Sequence, residues 1–139
     1  MTTDDEIREL LAPSKLRITA QRVGLARLLF SGPHRHVVAS ELHFEACQAG
    51  MSISLATVYN TLSQFIRAGL LREVSVRATG TYYDTNVEPH CHTYDPCTGT
   101  LRDLKMPEVQ LPDGIQAEHV AGVDLLFYLR PNSENPASV

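Results

Sequence analysis

Between Thr19 and Thr85 the chain is punctuated by glycine, and that punctuation limits the folds open to it. Three stretches with apolar residues at helical spacing each run into a stop: Gly32-Pro33, Gly50 and Gly69. The first has Thr19 as a candidate N-cap and Val23, Ala26, Leu29 and Phe30 on one face. The second begins near Ala39 or Ser40, with Leu42, Ala46 and Ala49 facing in and Gly50 as its C-terminal cap. The third starts at Ser54 and gathers Leu55, Val58, Leu62, Phe65 and Ile66. A shorter helix, about Thr3 to Ala12 with Ile7, Leu10 and Leu11 inward, precedes them and stops at Pro13-Ser14. After Gly69 the period changes: "LLREVSVRATGTYYDT" alternates and turns at Thr79-Gly80, the signature of a hairpin. Helices followed by a two-stranded wing predict a winged helix-turn-helix.

The charges divide along the same line. The net charge is −4 over 139 residues, yet from Leu10 to Arg77 eight basic residues face three acidic ones, a local +5. From Ala78 onward three basic residues face nine acidic ones, −6. A basic module joined to an acidic one steers toward a polyanion through its own patch, whatever the total. The three cysteines, Cys47, Cys91 and Cys97, are an odd number, and the N-terminus has neither a basic start nor an apolar run, so a cytoplasmic protein with reduced thiols is expected. No apolar stretch approaches the roughly 20 residues that span a bilayer, which argues against a membrane role.

Two segments carry chemistry. The first turns of the Ser54 helix present Ser54, Thr57, Tyr59 and Asn60: small polar groups for a major groove, a tyrosine for a thymine methyl or a phosphate, and an asparagine able to bond adenine at two points. An ordinary amphipathic helix with a wet polar face has the same pattern. Further on, "EPHCHTYDPC" sets His90, Cys91 and His92 in a row and adds Cys97. In a strand, His-x-His turns both imidazoles to one face, where they can share a metal; His34, His43 and His119 are isolated and read as surface or packing residues.

Together, "LRITAQR", "SISLATVYNTLSQFIRAGLL" and "TYYDTNVEPHCH" resemble the ferric uptake regulator family of metal-responsive repressors, and "SLATVYNTL", "YYDTNV" and "TGTLRDL" look most like its iron response regulator branch. The resemblance spans about residues 8 to 130. It implies an α+β chain: an N-terminal winged helix-turn-helix domain, residues 1–84, then a small α/β dimerisation domain, residues 85–139, with a short disordered C-terminal tail. It implies a homodimer that binds a double-stranded, AT-rich operator and is not an enzyme. Tyr59 falls at the family's groove-contacting tyrosine, while Asn60 stands where the iron-uptake branch has an arginine, so a different operator is expected. Lys15, Arg17 and Arg22 would meet the backbone or minor groove. His36, Asp84, His90, His92 and Asp103 match the family's regulatory metal ligands, a mixed N/O set suited to Fe(II), Mn(II) or Zn(II).

The departures from the family pattern are specific. Most members hold a structural zinc on two Cys-x-x-Cys pairs; here Asp95 and Thr98 stand in the first pair and the chain's end has no cysteine, so no four-cysteine zinc is expected. Cys97 then reads as a buried or incidental thiol, and "VDLLFYLR" as a central strand of the dimer interface. The iron response branch often has three histidines where this chain has His90-Cys91-His92, which leaves haem as a possible ligand of that trio, and an exposed Cys91 would also offer a redox input. A peroxide sensor of the same family, signalling by iron-catalysed oxidation of His36 or His90, is the alternative. A zinc hydrolase on His-x-His would need a general base and a pocket, and nothing in the sequence supplies them.

Overall fold

The computed structural model describes residues 3–131, so the expected disordered C-terminal tail lies outside the described residues. Two compact units follow one another, Met1–Val87 and Glu88–Val139. The first runs past Asp84 because Thr85 is tied back to Arg35: its Oγ1 accepts from Arg35 N at 2.9 Å and its N–H donates to Arg35 O at 3.1 Å.

The first unit holds α1 (Asp4–Leu11), α2 (Ala20–Phe30), β1 (His36–Val37), α3 (Ala39–Gln48), α4 (Leu55–Arg67) and the wing strands β2 (Arg72–Val76) and β3 (Gly80–Asp84). The two N-caps expected, Thr19 and Ser54, are in place. Thr3 and Glu6 form a reciprocal capping box on α1, Thr19 accepts from Arg22 N, and Ser54 accepts from Thr57 N. At the far end of α4, Gly69 adopts φ +77°, and Leu70 N reaches back to Phe65 O, a left-handed closure that a Cβ would strain. The wing turn holds a second left-handed residue, Ala78 at φ +64°.

Ile7, Leu11, Leu25, Leu29, Leu42, Val58, Leu62 and Phe65 are buried in one core drawn from all four helices, and Leu71 and Tyr83 extend it beneath the wing. Each large apolar side chain removed from water there contributes about 1.5–3 kcal/mol. Three expected core positions are exposed instead: Leu10 on α1, Ala49 just past the end of α3, and Leu55 on α4. Ala39 and Thr61 are buried in their helices, Thr61 bonding Thr57 O at 2.8 Å. Leu55 is the first residue of its helix, where the core-facing row has not yet begun.

β1, β3 and β2 form one antiparallel sheet in that order. In the second unit the order is β5 (Thr100–Lys105), β4 (His90–Asp95), β6 (Leu126–Tyr128): β4 pairs antiparallel with β5 and parallel with β6. A 3₁₀ turn, Ala117–His119, lies on the long connection to β6. No described helix is long and apolar enough to cross a membrane.

Candidate metal centre and nucleic-acid interface

Strand pairing decides which candidate ligands meet. In the first unit β1 and β3 run antiparallel with His36 opposite Asp84. His36 Nε2 lies 3.3 Å from Asp84 Oδ2, and Asp84, fully buried, accepts from Asn86 N through Oδ1 at 2.9 Å. A carboxylate sealed from water needs such partners to stay ionised. One oxygen is thereby anchored and the other faces imidazole.

In the second unit β4 places His90 and His92 on one face and β5 sets Asp103 opposite His92. The two Nε2 atoms are 3.0 Å apart, and Asp103 Oδ1 lies 3.3 Å from that of His90 and 3.2 Å from that of His92. His90 Nδ1 lies 2.6 Å from Glu88 O. A carbonyl only accepts, so Nδ1 carries the proton and Nε2 keeps its lone pair for a metal. Both imidazoles are buried, whereas Asp103 is partly open. Ligand atoms about 2.1 Å from a common ion sit about 3.0 Å apart at right angles. The spacing of this trio fits a divalent transition ion, and its N/O character suits Fe(II), Mn(II) or Zn(II).

The thiols stand apart from this chemistry. Cys91 is buried, so the exposed thiol considered for oxidation is not there; its Sγ contacts Lys105 O at 3.5 Å, and strand alternation turns it away from His90 and His92. Cys97 is exposed in the β4–β5 turn rather than buried, which leaves it as an incidental thiol. Among the isolated histidines, His34 contacts Thr85 Oγ1 and His43 contacts Ile53 O.

On α4, Tyr59 and Asn60 are exposed, Tyr59 at 48%. Ser54 and Thr57 are less free, since their hydroxyls lie 2.9 Å apart and Ser54 Oγ also accepts from Thr57 N: they build the cap as much as they present it. Lys15 and Arg17 are exposed, with Lys15 in the left-handed region at φ +59°. Arg22 is held: Nε and Nη2 donate to Gln64 Oε1 at 3.1 and 2.8 Å, and Nη1 donates to Arg17 O at 2.6 Å. Its partners are neutral oxygens, so the charge stays uncompensated at the rim of a cleft of about 260 Å³ lined also by Thr19, Thr57 and Asn60. Sequence reasoning missed Gln64; its one signal is that it follows Asn60 by one helical turn, on the same face.

A profile of the ferric uptake regulator family matches residues 13–125. The peroxide-responsive repressor PerR of Staphylococcus epidermidis is 30% identical over 128 residues, 90% of this chain and 84% of that protein. Among solved structures, a zinc-bound manganese uptake regulator is 31% identical with a TM-score of 0.66, covering 90% of this chain and 98% of its own. The Pseudomonas aeruginosa ferric uptake regulator with manganese has a TM-score of 0.70 at 23% identity, covering 91% of this chain and 98% of its own, a likeness of fold. Winged helix, sheet order and these matches agree: the chain belongs to the ferric uptake regulator family.

Proposed function

We propose that this protein is a DNA-binding transcriptional regulator whose affinity for its operator is set by a divalent transition metal. The observation that carries the reading is the incompleteness of each ligand group. The first unit offers two donors, His36 and Asp84, and the second offers three, His90, His92 and Asp103. Five residues separate Asp84 from His90, a tether of about 20 Å at full stretch. An ion taking donors from both groups would have its full affinity only when the two units are held in one arrangement. That differential affinity is what a metal switch requires. DNA contacts fall to Tyr59 and Asn60 in the major groove and to Lys15, Arg17 and Arg22 on the backbone of an AT-rich operator. A homodimer formed through the second unit agrees with the open outer edge of β6, where Phe127 is 48% exposed. The Asn60 position and "YYDTNV" favour the iron response branch, and an operator unlike that of the iron-uptake branch.

A second reading, peroxide sensing, is favoured by the PerR relative. The same ligands would hold iron, and oxidation of His36 or His90 would release it. Haem has less support, because Cys91 is buried and faces away from the two imidazoles. Titrating the metal-free protein with Mn(II), Fe(II), Zn(II) and haem, against a labelled operator selected from a random pool, tests the proposal. DNA affinity that rises or falls with a stoichiometric metal is the expected result, with steep salt dependence. Affinity indifferent to every metal would overturn it. Histidine mass gains after peroxide treatment of the Fe(II) form would select the second reading.

A further inference from the structure

The first unit carries another polar hollow, which shares Tyr59 with the major-groove face of α4 and includes none of the metal ligands. It opens at the start of α3. Unlike the other three helices, α3 has no side-chain cap: Val38 occupies the N-cap position, and the first intrahelical bond is from Leu42 N to Val38 O. The N–H groups of Ala39, Ser40 and Glu41 are left without helical acceptors at the positive end of the dipole.

An independent observation comes from β3. Tyr83 is only 6% exposed, its ring packed in the core, yet its hydroxyl has no hydrogen-bond partner among the described residues. No sealed side-chain oxygen or nitrogen among those residues lacks a partner, so this hydroxyl is not sealed. It reaches the cleft of about 280 Å³ that Tyr83 lines together with Ser40, Tyr59, Thr79 and Thr81. Every one of these side chains ends in a hydroxyl, and none carries a charge. Hydroxyl donors converging with free helix amides suit the oxygens of a phosphate. Glu73, opposite Tyr83 in the β2–β3 pairing, is the nearby carboxylate, and Glu41 adds a second in the first turn of α3. With two carboxylates close by and no lysine or arginine in the lining, the hollow suits a phosphate delivered by a polymer already held nearby rather than a free anion.

We propose that this hollow receives one backbone phosphate of the operator duplex, bound through Tyr83 Oη, Ser40 Oγ and the α3 amides. The inference rests on the DNA-binding reading above and adds a contact that fixes the duplex against the wing. Tyr59 shares the hollow, so the phosphate would sit beside the residue assigned to the major groove. The register adds a route to the metal: Val37 pairs with Tyr83 as the next rung after His36 with Asp84. One pair of strands thus carries a metal half-site and the floor of the phosphate hollow, so that an ion on one rung and a phosphate on the next brace the same element.

The test uses the full-length Mn(II)-loaded protein and fluorescence anisotropy with two duplexes, a selected operator and a scrambled sequence of equal length, over a range of salt. Tyr83→Phe and Ser40→Ala should each weaken both duplexes by the same factor, about tenfold for a hydrogen bond to a charged group. The salt slope should not change, because no cation is removed, and Mn(II) content should equal that of the wild type. Wild-type affinity in Tyr83→Phe for both duplexes overturns the proposal, and so does a loss confined to the operator, which would make Tyr83 a reader of sequence. If the wild type binds neither duplex, the DNA-binding reading falls and the phosphate contact falls with it. Amide shifts at Ser40 produced equally by inorganic phosphate would assign the hollow to a free ion instead.

Discussion

The two units meet the burial problem in different ways. The first buries apolar side chains from four helices and the wing around Leu62 and Phe65, with only Thr61, Asp84 and Thr85 as buried polar residues among those described. In the second, among the described residues, burial is concentrated on one strand: His90 to Tyr94, with Leu101 beside it. Half of those six side chains are polar, while Val109, Ile115, Val123 and Phe127 remain exposed. A small sheet with an open β6 edge and imidazoles at its centre cannot draw much stability from apolar burial alone. On the function proposed above, apolar burial is greatest in the unit that would read DNA, and least in the unit that would take the ligand and the partner.

Breaking the first core should have the largest effect. Phe65→Ala is expected to cost about 3–5 kcal/mol in urea unfolding, with or without Mn(II). A loss under 1 kcal/mol would erase the contrast between the units. Next comes His92→Ala, which removes a buried ligand and should weaken Mn(II) binding at least about 100-fold, or about 2.7 kcal/mol, while circular dichroism stays the same. Retained metal response would reject the assignment. At the open edge, Phe127→Glu should leave the first unit's unfolding midpoint in place and raise the dimer dissociation constant by tenfold or more by sedimentation equilibrium. Equal dimerisation would move the interface elsewhere. The smallest effect belongs to Glu45→Gln. The Arg35–Glu45 pair is bidentate at 2.9 and 2.7 Å and raises the Arg35 pKa, chiefly through its hydrogen bonds, but both side chains are about one-third exposed. A loss of about 0.5–1 kcal/mol that shrinks with salt is expected from the chevron of full-length protein.

Much of the first unit was legible because helical period, caps and glycine stops all pointed the same way: Thr19, Ser54 and the wing at Thr79-Gly80 needed only local chemistry. What the sequence concealed depends on distance along the chain. Arg22 and Gln64 are 42 residues apart, and no periodicity predicts that bond. The two-residue β1 is too short to leave a pattern, and Leu55 and Ala49 fit their helical stripes yet face water at the helix ends. Among the candidate metal ligands, alternation explained why His90 and His92 point together. That Asp103 lies opposite His92, and Asp84 opposite His36, follows from cross-strand register, which the sequence alone left to resemblance.

The brevity of β1 has a consequence for how such a sensor can change over generations. His36 meets Asp84 through a ladder of two rungs, and a shift of one residue would carry its imidazole to the opposite face of the sheet. A slip of one residue in so short a ladder need not unfold the helices around it, yet it would part His36 from Asp84 as surely as replacing either. Whatever holds that register, the burial of Val37 and Tyr83 beside it included, is therefore as heritable a part of the pair as the two residues themselves.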